Sequence, residues 1–297
     1  ALAAEGWVSH LATNGAGIIH DWELSYLGMT SEDVRENVAR CQFGNWQETG
    51  FYINLALNVG AWRGRGYGES VGALIEGQGL EIPSEAELTG QVRECLTTDP
   101  SRAAAAAELL GVVRRFELPA GFMKVPHPWN ASSAQATAFR LGVPFTGHPM
   151  FGHDIIYNHP MNNGALLGRA AERDFLRYAA AVSGIADGVY ISVGSAVMSP
   201  MVFEKSLSMG QNLALQTGKA ITGHYILVVD LAESHWDWTA GEPPENNPDY
   251  YLRYCKSFSR MGGQMRYLSA DNRDFLLALH HGLGKHQPPA KGKADSE

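Results

Sequence analysis

The sequence predicts an α/β fold: a doubly wound, mainly parallel sheet of the Rossmann-like kind, interrupted by a helical insertion. Three observations predict it. Short apolar runs rich in β-branched residues alternate with amphipathic stretches of helical period. Several runs are almost continuously apolar, as in Tyr225-Ile226-Leu227-Val228-Val229, which is the pattern of strands covered by helices on both faces. Turns of small or polar residues follow the runs, at the strand ends where open parallel sheets bind ligands.

Taken in order, a strand is expected over residues 7–13 and a helix over 17–28. Residues 30–125 break the alternation. They read as a mostly helical insertion, with a capping box at Ser84-Glu85-Ala86-Glu87 and an alanine-rich stretch at 103–107. Strands then follow at 143–146, 188–194, 225–231 and 264–269. Helices are expected at 131–141, 168–183, 200–217, 249–262 and 272–283. Residues 1–284 are expected to form one domain, and the polar, Pro- and Lys-rich residues 285–297 a disordered tail. A strand so close behind Ala1 suggests that a first strand-helix unit lies upstream, with residues 1–6 as the end of its helix.

Composition narrows the class. With 297 residues, 45% apolar and 18% charged, the chain is long and apolar enough for a real core and excludes general disorder. Its 33 glycines carry no period and it has no sustained heptads, which excludes collagen-like and coiled-coil forms. No apolar run approaches the roughly 20 residues that span a bilayer, so no membrane partner is expected. A net charge of -8 argues against nucleic acid as a partner. Cys41, Cys95 and Cys255 are odd in number and lack metal-finger spacing, which excludes a disulfide scaffold and a structural zinc. With no signal-peptide pattern at the start, a cytoplasmic protein is expected, and the sequon at Asn130 reads as a chance match.

Four constellations are able to carry chemistry. Thr13, Asn14, Gly15, Ala16 and Gly17 form a turn between strand and helix, where small residues let backbone N–H groups approach a phosphate; a plain tight turn reads equally well. The glycine-rich segment 64–68 follows a helix instead of a strand and reads as a loop. The post-strand segment 148–159 holds His148, His153, His159 and Asp154, either as one catalytic histidine with a cofactor-binding aspartate or as an exposed loop. Its spacing does not match the paired histidines of zinc hydrolases. After the strand at 225–231, Asp230, Glu233, His235, Asp237 and Glu245 interleave with Trp236, Trp238 and Tyr250, which suits an ammonium group or an ordinary acidic loop. Lys256 is flanked by aromatic residues, where desolvation favours imine chemistry; a solvated surface lysine is the plainer reading.

Read together, these segments resemble deoxyhypusine synthase over most of the chain outside the insertion. Val8-Ser9-His10-Leu11-Ala12-Thr13-Asn14-Gly15-Ala16-Gly17 is similar to that family's strand and glycine turn for NAD. Asp154-Ile155-Ile156-Tyr157-Asn158-His159 resembles Asp-Met-Ile-Phe-Phe-His, which places His159 on the active-site histidine and Asp154 beside the cofactor. Leu231-Ala232-Glu233 falls at the family's Thr-Ala-Gln, and Ala270-Asp271 at an Ala-Asp that contacts NAD. The segment from Asp249 to Lys256 is similar to Asp-Glu-Ala-Val-Ser-Trp-Gly-Lys, whose lysine forms the covalent imine.

The resemblance implies an NAD-dependent transferase that moves an aminobutyl group from a polyamine such as spermidine, through an imine on Lys256, to an acceptor amine. His159 would shuttle protons, Asp237 would hold the cationic substrate, and Tyr254 would replace a stacking tryptophan. A homotetramer is implied, with a protein lysine as one acceptor and no metal. The family's Glu-Glu after its glycine turn is Ile19-His20 here, its triple glycine is Gly194-Ser195-Ala196, and its glutamate six before the lysine is Tyr250. A homospermidine-type synthase with a small amine as acceptor, and a non-catalytic NAD-binding oligomeric module, are the alternatives; a metal hydrolase built on the three histidines trails them.

Overall fold

Asn14 ends one element and starts the next. It is the last residue of β1 (Leu11–Asn14), and its Oδ1 accepts the Gly17 N–H at 2.9 Å, capping α1 (Gly15–Leu27). At the far end Gly28 takes a left-handed φ of 73° and donates its N–H to Leu24, which stops the helix. The structure, a computed structural model, describes residues 1–288. Contacts divide the chain into two compact units: Ser9–Asp174, the helical unit, and Ala1–Val8 with Phe175 onward, the sheet unit.

In the helical unit α1 is followed by α2 (Val34–Ala39), α3 (Gln47–Trp62), α4 (Tyr67–Glu76), β2 (Gly79–Ile82), α5 (Glu85–Cys95), α6 (Pro100–Arg115) and β3 (Gly121–Lys124). α7 (Ala134–Leu141) and β4 (Phe145–His148) come next, and α8 (Gly164–Ser183) carries the chain into the sheet unit. Local sequence explains the helix starts. The Ser84, Asp99 and Ser133 side chains each accept an N–H from the first turn of α5, α6 and α7, and Pro100 occupies the start of α6, where no N–H is needed. Trp22, Ile53, Leu57, Leu74 and Leu109 are buried in one core. β1 pairs in parallel with β4, Leu11 opposite Phe145 and Asn14 opposite His148, while β2 and β3 pair antiparallel. Asp174, fully buried, fixes the geometry around β4: one carboxylate oxygen accepts the Gly68 N–H at 2.9 Å and the Gly147 N–H at 2.7 Å.

The sheet unit is a parallel three-stranded sheet in the order β5 (Val189–Val193), β6 (Tyr225–Asp230), β7 (Gln264–Ser269). It carries α9 (Met198–Gln216), α10 (Arg253–Ser259) and α11 (Asn272–Leu283). Ile226, Val228 and Met265 pack with Phe203 of α9 and Phe258 of α10 in its core.

The chain is therefore mixed α/β with short parallel sheets. β7 and α11 fall at the expected residues, whereas several boundaries move. The first strand begins at Leu11 instead of residue 7, and residues 1–6 hold a turn in which Glu5 N–H reaches Ala1 O. The helix expected at 131–141 starts at Ala134, because Asn130–Ser132 is a 3-10 turn and Ser133 is the cap. The helix expected at 249–262 is a 3-10 turn, Pro248–Tyr251, then a break at Leu252, whose ψ of 73° is not helical, then α10. β2 and β3 lie inside the insertion, where four residues are too few to display a strand period. The glycine-rich segment 64–68 is a loop only to Gly66; α4 begins at Tyr67. Strand burial is one-sided in β1, whose side chains alternate between half-buried and exposed. Residues 289–297 of the expected tail lie outside the described residues. Among the described residues no helix is long and apolar enough to cross a membrane.

Candidate functional site

In the helical unit, the carboxyl ends of β1 and β4 bring the 13–17 turn against Asp154. A Cβ added to Gly15 would lie 2.2 Å from an Asp154 carboxylate oxygen, and one added to Gly17 would lie 2.0 Å from the Thr13 hydroxyl. The glycines are thus required by the chain's own side chains. Asp154 is 9% exposed, and burial raises its pKa, opposed by the hydrogen bond that the Tyr157 hydroxyl donates at 2.8 Å. The Tyr67 hydroxyl, fully buried, has no hydrogen-bond partner among the described residues; burial and then the Asp154 charge keep it protonated. Asp154 accepts the Tyr157 hydroxyl, the same kind of donor that a ribose presents. The turn does not fit a pyrophosphate. Its Gly17 N–H is engaged by Asn14, and the Asp154 carboxylate packs against the start of α1 where an anion would sit.

His159 lies further along the same segment, half-buried against Gly50 and between the Phe51 and Phe116 rings. Its Nδ1 accepts the Met161 N–H at 3.0 Å, so the neutral ring carries its proton on Nε2. Burial lowers its pKa, which favours that neutral form. In this state Nε2 carries the proton and has no lone pair to take another. His148, His153 and His159 do not converge, and among the described residues no three His, Cys, Asp or Glu side chains are grouped to hold a metal.

Sequence reading missed a polar line across the β1–β4 pair. His10 Nε2 lies 3.0 Å from the Thr146 hydroxyl, and His148 Nε2 lies 3.1 Å from the same oxygen. Burial lowers the His10 pKa to about 4; burial and then the His10 charge lower that of His148 to about 4. The same hydroxyl also lies 3.5 Å from the Leu11 carbonyl, which can only accept, so its single proton is shared among three neighbours while its lone pairs accept from a ring N–H. The signal was present: Thr146 and His148 are two apart on a strand and therefore share a face.

In the sheet unit, α10 places Lys256 with its side chain 16% exposed. Its Nζ sits 3.4 Å from the Tyr250 ring centroid and 3.5 Å from the Glu242 carboxylate. Arg260, one turn on, holds the same carboxylate through two N–H groups at 2.7 Å, and this hydrogen bonding lowers the Glu242 pKa. The Tyr250 ring and Glu242 together form a lodging for an ammonium group. Glu242 lies well upstream of Lys256 in the sequence, and only the fold brings the two together.

The remaining expected residues have structural duties. Tyr254 is not presented to a ligand: it is buried in the core, with its hydroxyl 3.3 Å from that of Tyr267. Asp237 caps a 3-10 turn by accepting the Thr239 hydroxyl and N–H, and these hydrogen bonds lower its pKa. Asp249 likewise accepts the N–H groups of His235 and Trp236. Ala232, just past β6, accepts the Tyr267 hydroxyl at 2.6 Å. Asp271, just past β7, caps α11 and pairs with Arg273, which lowers its pKa. Beside it, Asn272 fills the place of a Cβ on Gly194, and its Oδ1 is buried with no partner among the described residues. An orphaned acceptor at the carboxyl end of a parallel sheet fits a ligand that donates an N–H or O–H.

No family model, curated protein or solved structure matches the chain.

Proposed function

We propose that this chain is an NAD-dependent aminoalkyl transferase of the deoxyhypusine synthase-like group, moving an aminobutyl group from a polyamine such as spermidine to an acceptor amine. The observation that carries this reading is the setting of Lys256: a poorly exposed amine against one ring face and one carboxylate. The ring face and carboxylate now hold the Lys256 ammonium itself, and this reading gives them to the cationic donor once Lys256 has lost its charge. Lys256 is the nucleophile of this reading. Once deprotonated it would add to the imine carbon left after the donor loses hydride. The C–N bond to 1,3-diaminopropane then breaks, that amine leaves with the proton, and the aminobutyl group stays on Lys256 as an imine, oriented by Tyr250 and Glu242.

The chemistry that NAD supplies when bound is reversible acceptance of hydride from the donor amine. Ala232 and Asp271, the latter next to the orphaned Asn272 acceptor, are the residues this reading gives to the cofactor in the sheet unit. Asp154 is a hydroxyl acceptor in the helical unit, and no phosphate is assigned to the 13–17 turn. A doubly wound Rossmann-like topology, a homotetramer and a cytoplasmic setting belong to the same proposal.

The test is product analysis. With NAD and spermidine, transfer of the aminobutyl group releases 1,3-diaminopropane, detected by mass spectrometry. Homospermidine formed on adding putrescine identifies a small-amine acceptor; transfer to protein lysine alone identifies the other. Spermidine left intact with NAD present overturns the reading.

A further inference from the structure

A second site lies in the helical unit, in residues that the transferase reading does not use. The end of α3, the length of α4, β2, Phe122 of β3 and Phe139 of α7 line a half-open cavity of about 280 Å³. Its floor is apolar, formed by residues such as Val59, Leu74 and Leu80. Two aromatic rings, Phe122 and Phe139, and two guanidinium groups, Arg63 and Arg65, line it as well.

The positions of these side chains follow from the sequence. Gly64, at φ 78°, turns the chain between Arg63 and Arg65, so that both arginines project from one short connection. Arg65 lies over the Phe139 ring at 5.5 Å and is drawn partly out of water, which lowers its pKa; Glu69 at 3.7 Å opposes that effect and Arg63 adds to it. Arg63 gives one N–H to the Glu81 carbonyl at 3.3 Å, a contact with a neutral oxygen. Of the acidic lining, Glu76 is already paired with Arg140 at 2.8 Å, and Glu81, the exposed residue of β2, adds one further carboxylate. Phe122 is 58% exposed, on the outward face of β3 opposite the exposed Glu81 of β2, and its ring lies where a Cβ on Gly79 would be. An exposed ring, a second ring under a guanidinium, and two neighbouring cations of which only Arg65 has a carboxylate partner among the described residues have a common complement. It is a flat apolar body carrying an oxyanion.

We infer that this cavity binds a small aromatic oxyanion, a carboxylate or a phosphate ester, with its ring between Phe122 and Phe139 and its anionic group on Arg63 and Arg65. The volume lies at the low end for small-molecule pockets, which limits the ligand to about one ring and its substituent. The inference stands independently of Lys256.

Titration of the full chain by calorimetry with phenylacetate, phenyl phosphate and phenethylamine tests it. Saturable binding of either anion is expected, and the tighter of the two names the oxyanion. Arg63→Gln with Arg65→Gln should weaken that binding at least tenfold, and Phe122→Ala several-fold. Arg114→Gln, a surface arginine paired with Glu85, should leave it unchanged. All these positions are partly or fully exposed, and circular dichroism of each variant reports whether it folds. Phenethylamine bound as tightly as the anions, no saturable binding of either anion to wild type, or undiminished binding by the folded double arginine variant would each overturn the inference.

Discussion

Acidification from pH 7 to pH 5 should weaken the helical unit through the two histidines on Thr146. Each has a folded pKa of about 4, against about 6.5 in the unfolded chain. The folded state therefore binds fewer protons between those values. Stability is whole above about pH 6.5 and is lost as pH falls through that window toward 4. At pH 5 an unfolded histidine is almost fully protonated and a folded one is mostly neutral, which costs about 2 kcal/mol per ring. Urea unfolding at pH 7 and pH 5, followed by tryptophan fluorescence, measures the loss in the wild type and in His148→Gln. The variant should lose about 2 kcal/mol less than wild type on the same change of pH. Equal losses in the two proteins would refute the burial argument, because a solvated histidine contributes nothing to the difference.

Other outcomes follow from the same geometry. Asp174→Ala leaves the Gly68 and Gly147 N–H groups buried without an acceptor and should cost about 2–6 kcal/mol by urea midpoint, whereas Asp174→Asn keeps an oxygen and should cost less. Gly15→Ala drives a methyl group into the Asp154 carboxylate and should lower the melting temperature by several degrees; Ala16→Gly, its neighbour, should change it little. Cys41 is exposed and should react with a thiol reagent in the native protein, while Cys255, buried and with its thiol pKa pushed up by burial, should react only on unfolding.

The sequence displays what depends on local pattern. The apolar run at 225–229 marks β6, and Ser84 with Glu87 marks the start of α5, because a strand's period and a cap's spacing are written in consecutive residues. What depends on contact between distant segments is not displayed. Nothing local shows that Glu242 returns to Lys256, that Asp174 reaches two glycine N–H groups far from it, or that Tyr254 turns into the core. The acidic residues near Trp236 looked like a cation site because charge and aromatic rings alternate there. In the fold Asp237 and Asp249 hold their own loop, Trp238 joins the core, and the ring facing an ammonium group is Tyr250. Gly15 and Gly17 were read as room for a phosphate, and the fold fills that room with Asp154 and Thr13.

The most direct test of the transferase account is the covalent one. Borohydride added to the chain with NAD and spermidine should fix an aminobutyl adduct on Lys256, located by peptide mass spectrometry, and the adduct should be absent from Lys256→Ala. Tyr250→Leu, which removes the ring face, should reduce its yield while leaving the fold intact by circular dichroism. An adduct on another lysine, or an equal adduct in Lys256→Ala, would contradict the account.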